Sequence, residues 1–249
     1  GTMAEILKKI LTDFWYEKLE GTITKNKDWE KFLGEEREKT LPSLENTFVA
    51  LNNIKHNEVN VVIFGQDPYP REQSAIGYAF WDGAVKSWDD ALSPSIRNIF
   101  KSVLVSKNYV ESTAKIAEIR KVVKKENILG PDDFFKNSIK QGVLWLNASL
   151  TFTSVDKKDL ERHLKFWKPI IEKIIEVLVN ENEKLVFIFW GSKAKDFQKI
   201  IQNAKGKAKY EFVENCHPML DTFQEKNTFK DIEAAQTKLG QTIVNWLNK

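Results

Sequence analysis

VNVVIFGQDPYPRE, residues 59–72, joins two kinds of sequence without a spacer. Val61 to Phe64 is a short, continuous run of β-branched and aromatic residues. That is the pattern of a strand buried on both faces, not of one with a wet side. The run ends in Gly65, which predicts a tight exit from the strand, and in Pro68 and Pro70, which stiffen the backbone around Asp67 and Tyr69. A turn needs the glycine and the proline, but it has no need of a carboxylate between them.

Working outward, three more short apolar runs read as buried strands: VLWL (143–146), LVFIFW (185–190) and the weaker KYEFVE (209–214). Helical periodicity covers 4–19, 41–54, 93–106, 166–179, 192–202 and 229–247. Ser93-Pro94 has the form of an N-cap followed by a first-turn proline, and Pro131-Asp132-Asp133 puts acids at the start of another helix. The charged stretch 105–130 contains KIAEIRKVVKK (115–125), which reads as a surface helix. Strands alternating with helices predict an α/β fold: a three-layer α/β/α sandwich around a central, four-stranded, mainly parallel sheet. With 249 residues and no repeat or linker, one domain over 4–249 is expected, and the opening Gly-Thr-Met reads as an expression scar.

Composition narrows the function classes. Lys and Arg total 38 against 35 Asp and Glu, a net charge of +3 that permits nucleic acid without demanding it. The single cysteine, Cys216, leaves no intramolecular disulfide framework and points to a reducing compartment, the cytoplasm (or the nucleus in a eukaryote). Cys and His are too few, and too scattered, for a zinc site; no metal or cofactor is expected. No apolar segment approaches bilayer length, so a soluble protein without a membrane partner is expected. Eight Trp can serve as core anchors or as stacking platforms.

In an open parallel sheet the carboxyl ends of the strands share one edge, and ligands bind there. The four predicted strands are followed by GQDPYP, NASLTF, GSKAK and NCHPMLD, so Asp67, Asn147, Ser192 and His217 should converge. A carboxylate facing an imidazole can support charge separation. An amide such as Asn147 both donates and accepts, which suits the edge of a nucleobase or another planar amide. Tyr69 and Phe80 could wall a flat ring. Each residue also has an ordinary reading: Asp67 and His217 as turn residues beside prolines, Asn147 as a strand-end cap. Ser192 reads as a helix N-cap under either view, because a cap and a phosphate contact use the same geometry. Joint placement at successive strand ends is what favours a site.

With these residues assembled, the chain resembles the main, uracil-excising family of uracil-DNA glycosylases, from roughly Leu41 to Trp246. GQDPY (65–69) resembles the family's water-activating loop, and GYAF (77–80) the segment with its stacking phenylalanine. SPSIRNIF (93–100) resembles the loop that compresses the DNA backbone, and GVLWLNASLT (142–151) the strand with the uracil-reading asparagine. FIFWGSKA (187–194) resembles the Gly-Ser loop, and CHPML (216–220) the histidine and wedge loop. The resemblance implies a monomeric, metal-free hydrolase of base-excision repair that releases uracil from single- or double-stranded DNA and leaves an abasic site. It implies that Asp67 orients water and stabilises the oxocarbenium-like sugar, and that a neutral His217 donates to uracil O2. Asn147 would read N3–H and O4, Tyr69 exclude the thymine methyl, Phe80 stack on the base, and Gln66 supply main-chain bonds. Ser95 and Ser192 would grip phosphates, with Lys193, Lys195, Arg97 and Lys101 adding charge. Leu220, or alternatively Met219, would fill the gap left by the extruded base.

The chain departs from the family pattern in its DNA-handling segments. Pro70 stands where the family has a loop-ordering histidine, and Arg71-Glu72 replace small residues. The wedge loop, HPMLD, is a residue shorter, with Asp221 in place of a phosphate-contacting serine. The motif after it is altered to QEKNTFKD (224–231), and the segment before Gly142 is longer than usual. Uracil excision with a preference for single strands is therefore expected. The alternatives are a non-catalytic uracil or damage reader, and a glycosylase for another modified base.

Overall fold

The fold is organised by strand β1 (Val61–Gly65), which is hydrogen-bonded along both edges. A computed structural model describes residues 2–191 and 193–249. β2 (Val143–Asn147) pairs with β1 on one side and β3 (Lys184–Trp190) on the other, and β4 (Lys209–Asn215) extends the sheet beyond β3. The order is β2-β1-β3-β4 and every described pairing is parallel, as the alternation of strands and helices predicts.

Because successive side chains in a strand point to opposite faces, the apolar runs divide into two cores. Val62, Phe64, Leu144, Leu146, Phe187 and Phe189 enter one of them. That face is covered by α1 (Met3–Ile10), α2 (Asp13–Thr24), the short α3 (Trp29–Leu33) and α4 (Val49–Asn52), and later by α8 (Lys157–Glu181) and α9 (Ala194–Asn203). Val61, Ile63, Val143, Trp145, Ile188 and Trp190 enter the other. It is covered by α5 (Pro94–Ser106), α6 (Ile116–Lys125), α7 (Pro131–Lys140) and α10 (Thr228–Leu239).

Several helices differ from their sequence pattern, each for a physical reason. The periodic stretch 4–19 is broken at Leu11 and Thr12, which are extended. Asn52 holds the break: its Nδ2 donates to Ile10 C=O (2.9 Å) while its Oδ1 accepts from Thr12 N–H (3.1 Å). Thr2 and Met3, set aside as a scar in the sequence reading, cap and open α1; Thr2 Oγ1 accepts from Glu5 N–H. Segment 41–54 is not one helix but a 3-10 turn (Leu44–Asn46) followed by the single turn of α4. Leu41 is instead drawn into a two-bond antiparallel bridge with Phe152 (2.8 Å each). α8 begins nine residues earlier than the periodicity of 166–179 shows, capped by Asp156, and carries Pro169 in its interior. α10 stops at Leu239 because Gly240 takes up the left-handed conformation (φ +73°) that terminates helices.

One buried polar contact ties the second core together. The Trp145 indole N–H donates to Ser138 Oγ (2.9 Å), which in turn donates to Phe135 C=O, and both side chains are fully buried. Ser138→Ala leaves that N–H without a partner, and urea unfolding should show a loss of about 1–3 kcal/mol. An unchanged midpoint would mean that the indole finds another acceptor.

Candidate active site at the strand ends

The segments leaving the carboxyl ends of β1, β2 and β4 meet around a cavity of about 270 Å³. Gln66, Asp67 and Tyr69 come from the exit of β1, Asn147 from the last position of β2, and His217 from the segment after β4. Phe80 and Ser95 complete the predicted set, Ser95 from the first turn of α5. Leu220 and Met219 are not in the wall; they project beside it, 48% and 58% exposed. Ser192 lies outside the described residues, and with it the expectation that it caps α9, whose N-cap position is Lys193.

Gly65 has a different reason from the one its sequence context suggests. It remains in the strand, opposite Asn147 in the β1–β2 register. A Cβ there would collide with Asn147 Oδ1 and lie 2.8 Å from the Ala79 Cβ. The glycine is the space through which the Asn147 amide crosses the neighbouring strand. Asn147 is buried, and among the described residues its amide has no hydrogen-bond partner, so a donor and an acceptor face the cavity together.

Phe80 is held in an unfavourable backbone state. Its φ is +65°, and Trp81 N–H closes onto Ala79 C=O (2.8 Å) around it, the rarer and strained hand of the γ-turn. Such conformations cost about 1–3 kcal/mol and persist where the surroundings over-determine them. Here the Tyr69 hydroxyl donates to Phe80 C=O (2.7 Å), and the Phe80 ring lies against Trp190 (5.6 Å) and His217 (6.2 Å). The bond locks Tyr69 as well, and burial pushes its phenol up to about 12, so it stays neutral.

The two titratable groups are set apart by their surroundings. Burial raises the Asp67 carboxyl above its ordinary value, and the Lys193 ammonium opposes that rise. Burial lowers the His217 imidazole. Met219 N–H donates to His217 Nδ1 (3.0 Å), so the neutral ring carries its proton on Nε2. The arrangement presents a carboxylate and a neutral N–H donor to one cavity, the requirement for stabilising positive charge at one end of a breaking bond and negative charge at the other.

Three wall residues escaped the sequence reading: Phe152, Val155 and Leu160. All follow Asn147 on the way to and into α8, so carrying the strand-end logic a few residues further would have found them. The Arg71 guanidinium reaches the buried Asp82 carboxylate (3.5 Å) and Ser74 Oγ (3.3 Å), tying down the loop that Pro70 enters.

Residues 52–239 match the family model described as the Uracil DNA glycosylase superfamily. A uracil-DNA glycosylase of Streptococcus pyogenes (serotype M4, strain MGAS10750) is 30% identical over 215 residues, 83% of either chain. One from Enterococcus faecalis (strain ATCC 700802 / V583) is 28% identical over 250 residues, 96% of this chain and 97% of its own. Among solved structures, wild-type UNG from Nitratifractor salsuginis superposes with a TM-score of 0.72 at 28% identity, covering 90% of this chain and 91% of that one. Mimivirus uracil-DNA glycosylase shares the fold at 19% identity, with a TM-score of 0.69 over 96% of this chain and 88% of its own.

In a ¹⁵N-labelled sample, His217 should show the Nε2–H tautomer at neutral pH and gain its second proton only at a pH below that of an ordinary histidine. Titration at or above the ordinary value would remove the neutral donor from the site.

Proposed function

The chain belongs to the uracil DNA glycosylase superfamily and excises uracil from DNA, and from that premise we propose how the strand-end cavity divides the work. The observation that carries the reading is the Met219 N–H to His217 Nδ1 bond, which leaves Nε2–H as a neutral donor opposite Asp67. As the N-glycosidic bond lengthens, negative charge builds on the base and is met at O2 by His217 Nε2–H. Positive charge builds on the sugar and is met by the Asp67 carboxylate, which also orients the water that attacks C1′. The proton of that water leaves through Asp67 to solvent, the departing base anion takes up one from solvent, and the products are free uracil and an abasic site.

Base selection follows from the walls. The Asn147 amide accepts from uracil N3–H and donates to O4; cytosine offers a lone pair and an amino group at those positions, so both contacts fail. The Tyr69 ring, locked through its hydroxyl, occupies the space a thymine methyl would need. Phe80 stacks on the base. The Gln66 carbonyl accepts from Ser149 N–H (2.9 Å), which pins this peptide beside the base edge. Asp67→Asn should lower excision by about 10²–10⁴-fold in single-turnover assays while free uracil still binds. Unchanged turnover would remove Asp67 from the chemistry and favour a reader of damage over an enzyme.

A base in a duplex must first be extruded, at a cost of a few kcal/mol that a single strand avoids. Ser95 in the first turn of α5 and Ser192 grip the flanking phosphates, and Leu220, with Met219 beside it, takes the place of the extruded base. Burial lowers the Lys101 ammonium, and the nearby Asp221 carboxylate raises it again, so one α5 cation is partly answered from within the protein. Uracil in a single strand should therefore be released faster than the same uracil opposite G or A, read as alkali-developed cleavage of one labelled oligonucleotide. Equal or faster release from the duplexes would overturn the preference, and no release from any of them would overturn the assignment of excision.

A further inference from the structure

Asn98 lies outside the cavity wall and is almost wholly buried, at 4% exposure. It lies on α5, one turn beyond Ser95, and its Nδ2 donates to Pro218 C=O (2.7 Å) and to Leu220 C=O (3.3 Å). A second side chain returns the connection. Gln224 Nε2 donates to Asn98 C=O (2.9 Å), and Gln224 Oε1 accepts from Ser102 Oγ (3.0 Å), one turn further along α5. From the other side, Asn215 at the end of β4 donates through Nδ2 to Phe223 C=O (3.0 Å). Within the loop, Leu220 N–H closes on His217 C=O and Phe223 N–H on Leu220 C=O (3.0 Å each). The segment that holds Leu220 and Met219 in the open is thus fastened at both ends and across its middle.

A loop presenting two large apolar side chains to water has no reason in its own stability to be so constrained, since burying them would be favourable. Rigid presentation is useful when the same side chains must enter a nucleic-acid stack at the moment the phosphates are held. We infer that Asn98, with Gln224 and Ser102, is a positioning clamp that fixes the apolar loop 218–220 to α5, so that gripping the backbone through Ser95 and inserting Leu220 occur as one rigid-body event. This rests on the roles proposed above for Ser95 and Leu220. None of the three clamp residues lines the cavity, so the clamp serves extrusion and not the bond-breaking step.

The separation is testable because a single strand needs no extrusion from a duplex. In single-turnover assays on one sequence, as a single strand and as a duplex with uracil opposite G, Asn98→Ala should slow the duplex reaction about tenfold. The single-strand rate should stay within about twofold, a tenfold change being about 1.4 kcal/mol. Gln224→Ala and Ser102→Ala, which leave the Asn98 amide in place, should show the same pattern to a smaller degree. They keep the question answerable if Asn98→Ala folds poorly. A 2-aminopurine beside the uracil should brighten more slowly in the duplex with these variants. Equal losses on both substrates would overturn the clamp and mean that Asn98 supports His217 through Pro218. No loss on either would overturn it outright. Wild-type protein inactive on both substrates would instead defeat the assignment of excision, and the clamp with it.

Discussion

The pairing of β1 with a partner along each edge is the constraint on which the site depends. In the β1–β2 register Gly65 faces Asn147, and in the β1–β3 register Phe64 faces Phe189. A slip of one residue would exchange the two cores and turn every catalytic exit to the wrong face. Continuous apolar runs buried on both sides prevent it, because Val62 and Phe64 fill one core while Val61 and Ile63 fill the other. Asp67, Asn147 and His217 are placed by this ladder: each sits at, or just beyond, the last residue of a strand that cannot move along its neighbour.

Upon this frame the cavity is made rigid by contacts that carry no chemistry. The Tyr69–Phe80 bond holds a strained γ-turn, the Arg71–Asp82 pair holds the loop between them, and Met219 N–H sets the tautomer of His217. Each fixes the orientation of a group in or beside the cavity. The two titratable groups are perturbed in opposite directions by the same burial, the carboxyl up and the imidazole down. Lys193, beside Asp67, then opposes the rise at the carboxylate alone.

The departures from the family pattern become easier to read in three dimensions. Arg71 is a poor fit for a segment of small residues until Asp82 is seen buried beneath it. Asp221 lies near enough to Lys101 for its carboxylate to raise that ammonium against the lowering by burial.

Fold class, the four strands and the convergence of Asp67, Asn147 and His217 were legible in the chain, because buried parallel strands are short unbroken apolar runs and their carboxyl ends share one edge. The surface helix at 115–125 and the N-cap at Ser93 were local signals and held. Two helices failed where a distant partner overruled local pattern: Asn52 divides one into two, and Phe152 draws Leu41 out of another. The need for Gly65 was visible, but its cause was not, since the atom it makes room for belongs to a residue on another strand. The tie from Asn98 to Leu220 is likewise a pairing across a long stretch of chain, whereas the γ-turn at Phe80 and the tautomer of His217 are set by near neighbours in conformations that no residue pattern announces. Composition and periodicity report on how a segment meets water; which groups finally meet one another is decided only when the sheet closes its register and the loops are packed upon it.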